Sequence, residues 1–384
     1  MSALLRKCWP ILALATVLAV LLVLTLRPYQ WNVTALFHMD NVIQSESRLP
    51  SGFVILSVPS YDGAQYYQVA RNIPKIVDLH QWNELLSRAP GSYAYQRFLL
   101  PLFAFVLALG STSLLPFTFL AINLLALLLT CRLILRWDHG KPLYALALCL
   151  SPAAMVALHF SLAEPLTILL TTAVLVRYVR SNRFTWLDLV LLSLATLTRE
   201  VNILFIAYFM GFSVLRRRWK DVLLLCIPAA VFLAWHGIIF AIFHEIPFFI
   251  STGAREFPGH AALMVLLGNR GYDRYTLSAV ALFLGLVLPA FLWTGRELVV
   301  RKELDVLSLG ALAFLCIMLV MPGYIWGSIT SIGRVITPMY PLLLLYCSKR
   351  DTVFARALAV MTLLLGVGAG VGLALSVHPF VLAP

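Results

Sequence analysis

The sequence predicts an all-α polytopic membrane protein that forms a single integral membrane domain over residues 1–384. Of the 384 residues, 61% are hydrophobic and only 12% are charged, and the mean hydropathy is +0.89. A soluble globule of this composition would lack the polar residues needed to cover its surface. The six cysteines all lie in or beside apolar segments without paired spacing. We therefore expect packing cysteines, with neither a disulfide nor a metal site.

The first predicted element is a membrane helix at the N-terminus. Arg6 and Lys7 precede a long apolar run that continues to Arg27. No small-x-small cleavage site follows the run, which favours an uncleaved anchor over a signal peptide. Basic residues before the run place its N-terminus in the cytoplasm.

Further apolar stretches follow along the rest of the chain. Those long enough to be counted as spans lie at about 115–135, 143–160, 165–180, 186–198, 202–215, 221–243, 277–295, 305–321, 335–347 and 355–376. With the first helix they predict about eleven transmembrane helices. The stretch Phe98–Gly110 has 13 residues, which reach roughly 20 Å as a helix. This falls short of the roughly 30 Å hydrocarbon core.

The distribution of basic residues decides whether that short stretch crosses the membrane. If it does not cross, the short inner loops hold 16 basic residues and the short outer loops hold five, Arg199, Arg255, Arg270, Arg274 and Arg334. If it crosses, the bias inverts and violates the positive-inside rule. The sequence thus predicts an interfacial or re-entrant helix on the outer face and a C-terminus outside. The net charge of +12 follows from topology, and we expect no nucleic-acid binding.

The outer face has the two long loops, 27–114 and 244–276, and we predict that the functional site lies on this face. Four ionisable residues lie on that side at membrane depth: Glu164, Arg199, Glu200 and Arg334. Such groups are costly unless they face a partner or a wet cavity, so they mark a functional site. Purely structural interpretations of these residues also exist. Glu164 could cap the helix that begins at Pro165, and Arg199 with Glu200 could be a turn at the lipid headgroups. We interpret His159 and His236 as packed core residues.

The location of these groups restricts the chemistry. An outer-face site has no access to cytosolic nucleotides, and the sequence contains no P-loop and no GxGxxG after a strand. A transferred group must then arrive on a lipid, and arginines suit the phosphate of such a donor. Asp62 is the candidate that would take a proton from an acceptor hydroxyl. In isolation its Asp-Gly pair would indicate only a turn.

Five segments together resemble a known superfamily. They are YDGAQYYQVA (61–70), YQRFLLPLFAFVLALGS (95–111), SLAEPLTILL (161–170), LTREVNILF (197–205) and GRVITPMYP (333–341). This order resembles the GT-C superfamily of polyprenyl-phosphate-sugar-dependent glycosyltransferases. More narrowly, it resembles bacterial cell-surface glycopolymer proteins with a YDGxxYY motif. The resemblance implies a GT-C-like fold with a short outer-face helix before the second span.

The same resemblance implies an inverting hexosyl- or pentosyltransferase in a bacterial inner membrane, with its site on the periplasmic side. Its donor would be a polyprenyl-phosphate sugar, and its acceptor a glycan, lipid or protein. Asp62 would be the base, and the binding residues that the resemblance implies are Tyr61, Gly63, Tyr66, Tyr67, Arg97, Arg199 and Arg334. Glu164 and Glu200 join the predicted binding residues because they are ionisable groups at membrane depth. A second acid common in relatives would be Asp40, Glu46 or none, so metal dependence stays open, with no cofactor as the default. The alternatives are a lipid-linked-glycan flippase or transporter, and a membrane O-acyltransferase with His159 as base.

Overall fold

The protein is described by a computed structural model. The structure describes residues 3–47, 49–82, 85, 91–245, 263–264, 267, 274–302, 305–319, 321, 323–326 and 328–383. Most of the second long outer loop predicted at 244–276 lies outside these residues, together with Arg255 and Arg270. Within the described residues the chain is mostly helical, as the composition predicts.

The N-terminal third contains one long helix and a compact arrangement of short elements. In chain order these are α1 (Ala3–Leu26), α2 (Asn41–Ser47), β1 (Val54–Leu56), α3 (Asp62–Val77), α4 (Ser92–Tyr95) and α5 (Leu99–Leu107), with 3-10 turns at Arg27–Tyr29, Val33–Phe37 and Leu79–Gln81. The predicted first outer loop is therefore a folded unit. Its interior is apolar, because Phe37, Tyr66 and Tyr67 are fully buried there.

The remaining described elements form the bundle. They are α6 (Leu115–Leu135), α7 (Pro142–Cys149), α8 (Pro152–His159), α9 (Glu164–Ser181), α10 (Trp186–Thr198), α11 (Ile203–Leu215), α12 (Trp219–Phe243), α13 (Arg274–Leu282), α14 (Leu288–Arg301), α15 (Val306–Leu319), α16 (Gly323–Trp326), α17 (Ile329–Val335), α18 (Met339–Arg350), α19 (Val353–Ala374) and β2 (Phe380–Leu382). A 3-10 turn at Glu200–Asn202 precedes α11, and a π-helical segment at Phe283–Val287 joins α13 to α14.

Five to seven membrane spans are supported by length and apolar composition. The five continuous candidates are Cys8–Tyr29, Leu115–Leu135, Trp219–Phe243, Thr276–Arg301 and Val353–Ala374. Two further candidates are helix pairs bent by 41° and 67°, α7 with α8 and α17 with α18. Shorter apolar helices lie at Trp186–Thr198, Glu200–Leu215 and Val306–Leu319. An integral membrane protein is thus confirmed in outline, and the count of eleven spans stays a prediction.

The bent pairs differ from the unbroken spans predicted at 143–160 and 335–347. Pro152 begins α8, and Ser151 before it is extended, because a residue preceding proline is disfavoured in the helical region. Gly366 on α19 packs against this break. A Cβ on Gly366 would lie 1.7 Å from the Leu150 carbonyl oxygen, so only glycine permits this approach.

A small β-ribbon is a feature that the sequence does not predict. β1 pairs antiparallel with β2, with Ile55 opposite Val381. The pairing brings the C-terminal segment to the first loop. The total number of spans and the side on which the C-terminus lies stay predictions.

The predicted interfacial helix corresponds to α5. Its nine residues extend only about 13 Å, so α5 is too short to span a bilayer, as predicted. Leu100 and Ala104 are buried against the rest of the protein, while Val106 and Leu107 are more than half exposed. An exposed apolar edge on a short helix suits the boundary of a membrane.

Candidate functional site

Asp62 is positioned by the close packing of the start of α3. Tyr61 precedes the helix in an extended conformation, and its ring stacks on Phe160 with centroids 4.2 Å apart. Gly63 lies against the backbone of the same residue, because an added Cβ would be 1.9 Å from the Phe160 carbonyl oxygen. The YDG sequence therefore fixes the helix start against the end of α8, with Asp62 as its first residue.

Two arginines hold the Asp62 carboxylate through one oxygen. Oδ2 accepts hydrogen bonds from Arg97 Nη1 at 2.6 Å and from Arg334 Nη2 at 2.9 Å. Within the described residues, Oδ1 accepts no hydrogen bond. The Asp62 side chain is 24% exposed, compared with 4% for Arg97 and 8% for Arg334. One carboxylate oxygen is thus directed at buried cations, and the other is available.

Arg97 lies just before α5, and each nitrogen of its guanidinium donates hydrogen bonds to neighbouring side chains. Its Nε and Nη2 donate to the two oxygens of Glu200 at 2.9 and 2.8 Å. The same guanidinium donates to the hydroxyls of Tyr66 at 3.2 Å and Tyr93 at 2.6 Å. A bidentate, charge-assisted contact fixes the plane of a guanidinium. Glu200 therefore orients Arg97 toward Asp62.

Arg334 links Asp62 to a second buried pair. Its Nε donates to Glu164 Oε1 at 2.5 Å, and its Nη1 donates to the Tyr61 hydroxyl at 2.9 Å. Glu164 Oε1 also lies 3.0 Å from Arg199 Nη1, which donates to the Arg334 carbonyl oxygen. Glu164 is fully buried, and its Oε2 has no partner within the part of the chain that the structure describes.

Six predicted residues therefore meet in one network with balanced charge: Asp62, Arg97, Glu164, Arg199, Glu200 and Arg334. Three carboxylates face three guanidiniums, so the resting site is formally neutral. We refer to these six side chains as the charged network. Buried charges are tolerated when paired and hydrogen-bonded, which explains how ionisable groups persist at this depth.

The pKa values of the carboxyls at the outer ends of the charged network are lowered. Burial alone raises the pKa of Asp62, but Arg334 and Arg97 outweigh this and hold it well below its usual value. For Glu200, burial also raises the pKa, and Arg97 and Arg199 bring it down to about 2. Both carboxylates are ionised at neutral pH. Burial raises the pKa of the Tyr66 phenol, which keeps it a neutral hydrogen-bond partner.

Tyr61 and Tyr66 contact the charged network, but the structure places Tyr67 elsewhere. The Tyr67 hydroxyl donates to the Thr112 carbonyl oxygen at 3.3 Å, and its ring packs on Phe37 and Phe53. Its contacts are those of a core residue of the first loop. Tyr93 is the opposite case, since it contacts Arg97 but was not predicted. A tyrosine four residues before an arginine was the available signal.

Asp40, one of the two candidates for a second acid, has a structural role. Its Oδ1 accepts from the Ile43 amide at 2.9 Å, and its Oδ2 accepts from the Ser60 amide at 3.0 Å. Asp40 thus precedes α2, binds an amide of its first turn, and fixes the backbone two residues before Asp62. The Glu46 side chain lies outside the described residues. No group of three His, Cys, Asp or Glu side chains among the described residues is arranged to hold a metal ion.

An apolar groove adjoins the charged network. It encloses about 410 Å³ and is lined by residues of α13, α17 and α19: Ser278, Ala281, Ile329, Thr330, Leu364, Leu365, Gly368, Ala369, Gly372, Leu373 and Ser376. Tyr61 connects the groove to the network. Its hydroxyl donates to the Thr330 carbonyl oxygen at 3.3 Å and accepts from Arg334. Tyr61 therefore contacts both a residue that lines the apolar groove and an arginine of the charged network.

A histidine cluster packs against Phe160, with the ring centroids of His38 and His159 at 4.4 and 4.8 Å from that of Phe160. Nε2 of His38 and Nε2 of His159 are 3.2 Å apart, and both side chains are more than nine-tenths buried. The His378 ring lies 6.3 Å from that of His38, centroid to centroid. His159 is packed, as predicted, but it has a polar partner. Nothing in the sequence predicts this partner, because the two residues are 121 positions apart.

Comparisons with known proteins add no assignment to this geometry. No protein-family model matches the chain, and neither a curated protein nor a solved structure matches it.

Proposed function

We propose that the protein transfers a sugar from a polyprenyl-phosphate donor to a glycan, lipid or protein acceptor on the outer face of a bacterial inner membrane. The observation that carries this proposal is the junction of the apolar groove with the charged network at Tyr61. A donor of this class has an apolar chain and an anionic phosphate. The junction offers an environment for each.

On this proposal, the lipid chain occupies the groove and the phosphate binds at Arg334. Thr330 lines the groove, and Arg334 follows it by one helical turn of α17. Guanidinium is suited to this role because it makes paired, charge-assisted hydrogen bonds to phosphate oxygens. Tyr61, which contacts both Thr330 and Arg334, would lie beside the sugar.

The proposed step is a single displacement. The acceptor hydroxyl oxygen attacks the anomeric carbon, the bond from that carbon to the phosphate oxygen breaks, and the phosphate leaves with the bonding electrons. The hydroxyl proton passes to Oδ1 of Asp62, the oxygen that the arginines leave available. An ionised carboxylate of low pKa is a weak base, so Asp62 accepts the proton late, as the hydroxyl becomes acidic. Stabilisation of the leaving phosphate by guanidinium supplies the larger share of rate enhancement.

The test uses purified full-length protein in nanodiscs with a polyprenyl-phosphate sugar and an extract of cell-surface glycans. Release of polyprenyl phosphate is measured for the wild type, Asp62→Asn and the matched control Asp78→Asn. Asp78 is a loop carboxylate whose partners are His80 and Gln81. We expect Asp62→Asn to lose at least a hundredfold in rate, in the range of general-base losses. The control should retain wild-type activity.

The same assay separates the alternatives. Movement of the lipid-linked sugar across the bilayer without bond cleavage would support a flippase and contradict the proposal. Equal release by the wild type and a folded Asp62→Asn variant would remove Asp62 from the mechanism. Acyl transfer dependent on His159 would support an O-acyltransferase. The structure offers this alternative little support, because Nε2 of His159 already contacts His38.

A further inference from the structure

Two turns of the bundle lie side by side, away from the residues of the charged network and of the apolar groove. One turn joins α9 to α10, and the other joins α11 to α12. Arg218 in the second turn donates from Nη1 to the carbonyl oxygen of Asn182 at 2.6 Å and to its side-chain Oδ1 at 3.0 Å. These hydrogen bonds fix the two turns against each other.

The joined turns are strongly basic. Residues 181–187 and 215–221 together contain five basic residues and one acid. The acid, Asp221, is only 8% exposed. Arg218 holds the turns together, and the other four basic side chains are exposed. We refer to these four as the basic patch: Arg183, Arg216, Arg217 and Lys220.

The charge of the basic patch is not neutralised by neighbouring acids. Arg177, which lies just before the first turn, pairs with the buried Asp188 at 2.6 Å. By contrast, Arg183, Arg217 and Lys220 form no ion pair with any residue that the structure describes. A concentrated positive surface without acidic partners is suited to an anionic ligand.

Each turn is followed by an exposed tryptophan that begins the next helix. Trp186 begins α10 and is 70% exposed, and Trp219 begins α12 and is 62% exposed. α12 is one of the candidate membrane spans, and its Leu223 and Leu233 are largely exposed. Tryptophan prefers the boundary between the hydrocarbon core and the lipid headgroups. The basic patch therefore lies at the level of the headgroups.

Arg217 has a backbone conformation that favours glycine. Its φ is 56°, and its amide donates to the Val214 carbonyl oxygen at 2.9 Å, while the Arg218 amide donates to that of Ser213 at 2.8 Å. This left-handed turn is common where a helix ends, and glycine is the usual residue in it. The local fold thus favours glycine, and the exposed guanidinium is what arginine adds.

We propose that the basic patch binds the anionic headgroups of phospholipids in the leaflet that faces the cytoplasm, the side on which the positive-inside rule places these turns. Guanidinium makes charge-assisted hydrogen bonds to phosphate oxygens. A basic residue near an anionic membrane surface is worth about fivefold in affinity. A zwitterionic headgroup carries its own cation, so the basic patch should select anionic lipids. The proposal does not depend on the transferase function.

The experiment compares the binding of two lipids to purified full-length protein in detergent micelles. Phosphatidylglycerol and phosphatidylcholine with the same acyl chains are added separately, and bound lipid is counted by native mass spectrometry. Soluble glycerol phosphate tests the headgroup without its chains. One test variant is Arg217→Gly, and the other combines Arg183→Gln, Arg217→Gly and Lys220→Gln. The matched control removes three exposed basic residues from other turns: Arg132→Gln, Arg296→Gln and Lys302→Gln.

We expect the wild type and the control to prefer phosphatidylglycerol by about tenfold or more. Arg217→Gly should lower the affinity for phosphatidylglycerol about fivefold and raise the melting temperature, because glycine suits the left-handed turn. The triple variant of the basic patch should lose the preference. A purely structural role of Arg217 would not change stability and lipid affinity in opposite directions.

Three results would overturn the proposal. They are a wild type without preference, equal losses in the two triple variants, and displacement of the lipid by glycerol phosphate at an equal concentration. The second result would mean that any basic turn serves equally well. The third would mean that the basic patch binds a small soluble anion.

Discussion

Replacing Glu164 by Gln should destabilise the protein by about 3 kcal/mol, at the lower end of the roughly 3–5 kcal/mol measured when one partner of a buried ion pair is removed. Glu164 is 0% exposed, and its Oε1 lies 2.5 Å from Arg334 Nε and 3.0 Å from Arg199 Nη1. Glutamine keeps the volume and a neutral acceptor, and that acceptor is worth about 1 kcal/mol. The loss of charge is therefore the dominant effect.

The two arginines are affected unequally. Arg334 retains its contact with Asp62. Glu164 is the only carboxylate that forms an ion pair with Arg199 in the described residues, and Arg199 is 3% exposed. The variant would leave the buried Arg199 guanidinium without an ion-pair partner among the described residues, and only the more distant Glu200 carboxylate would still act on its charge. Most of the destabilisation should come from the loss of this ion pair.

The free energy of unfolding is measured in mixed micelles for Glu164→Gln, Arg199→Met and the double variant. Because both side chains share one contact, the double-mutant cycle should give a coupling energy of about 1–3 kcal/mol. Arg301→Gln is the control, since it breaks a half-exposed pair with Glu297 worth about 0–1 kcal/mol. A cost below about 1 kcal/mol for Glu164→Gln together with zero coupling would refute the reasoning.

Two further predictions concern the ends of the charged network. Gly63→Ala places a Cβ 1.9 Å from the Phe160 carbonyl oxygen, whereas Gly91→Ala meets nothing within 4 Å. Overpacking should therefore lower the thermal stability and transfer rate of the first variant by a cost of about 1–3 kcal/mol, and equal stability of the two would contradict this. Glu200 has its pKa lowered from 4.5 to about 2 by Arg97 and Arg199. The contribution of the ionised Glu200 to stability is present above about pH 4.5 and is lost as the pH falls toward 2. The melting temperature should therefore fall more steeply over this pH range in the wild type than in Glu200→Gln. Melting temperatures that fall in parallel would contradict the lowered pKa of Glu200.

Part of the charged network could be predicted from the sequence by a rule that needs no long-range information. An ionisable group at membrane depth requires a partner, and this rule applied to Glu164, Arg199 and Arg334 separately. The rule does not identify which side chain pairs with each of these groups. Arg97 and Glu200 are 103 residues apart, and their meeting depends on how the first loop folds over α10 and α11.

Other features were missed for different physical reasons. β2 is three apolar residues, too short for periodicity to separate strand from helix, and it forms only because β1 is available. The break before Pro152 had a local signal, since a residue preceding proline leaves the helical region, but hydropathy alone joins the two halves. The pairing of His38 with His159 left no trace in the sequence, because an isolated histidine in an apolar segment is compatible with simple packing.

The balance of charges also indicates which guanidinium could accept a donor phosphate. Arg97 is the only ion-pair partner of Glu200 among the described residues, so withdrawing it would leave a buried carboxylate unpaired, which is costly. Arg334 contacts two carboxylates, and each has another arginine: Asp62 keeps Arg97 and Glu164 keeps Arg199. A phosphate could therefore take Arg334 without leaving any carboxylate of the charged network unpaired. On the proposed function, donor binding would also remove one of the two cations that lower the pKa of Asp62, and this would make Asp62 a better base only when the donor is in place.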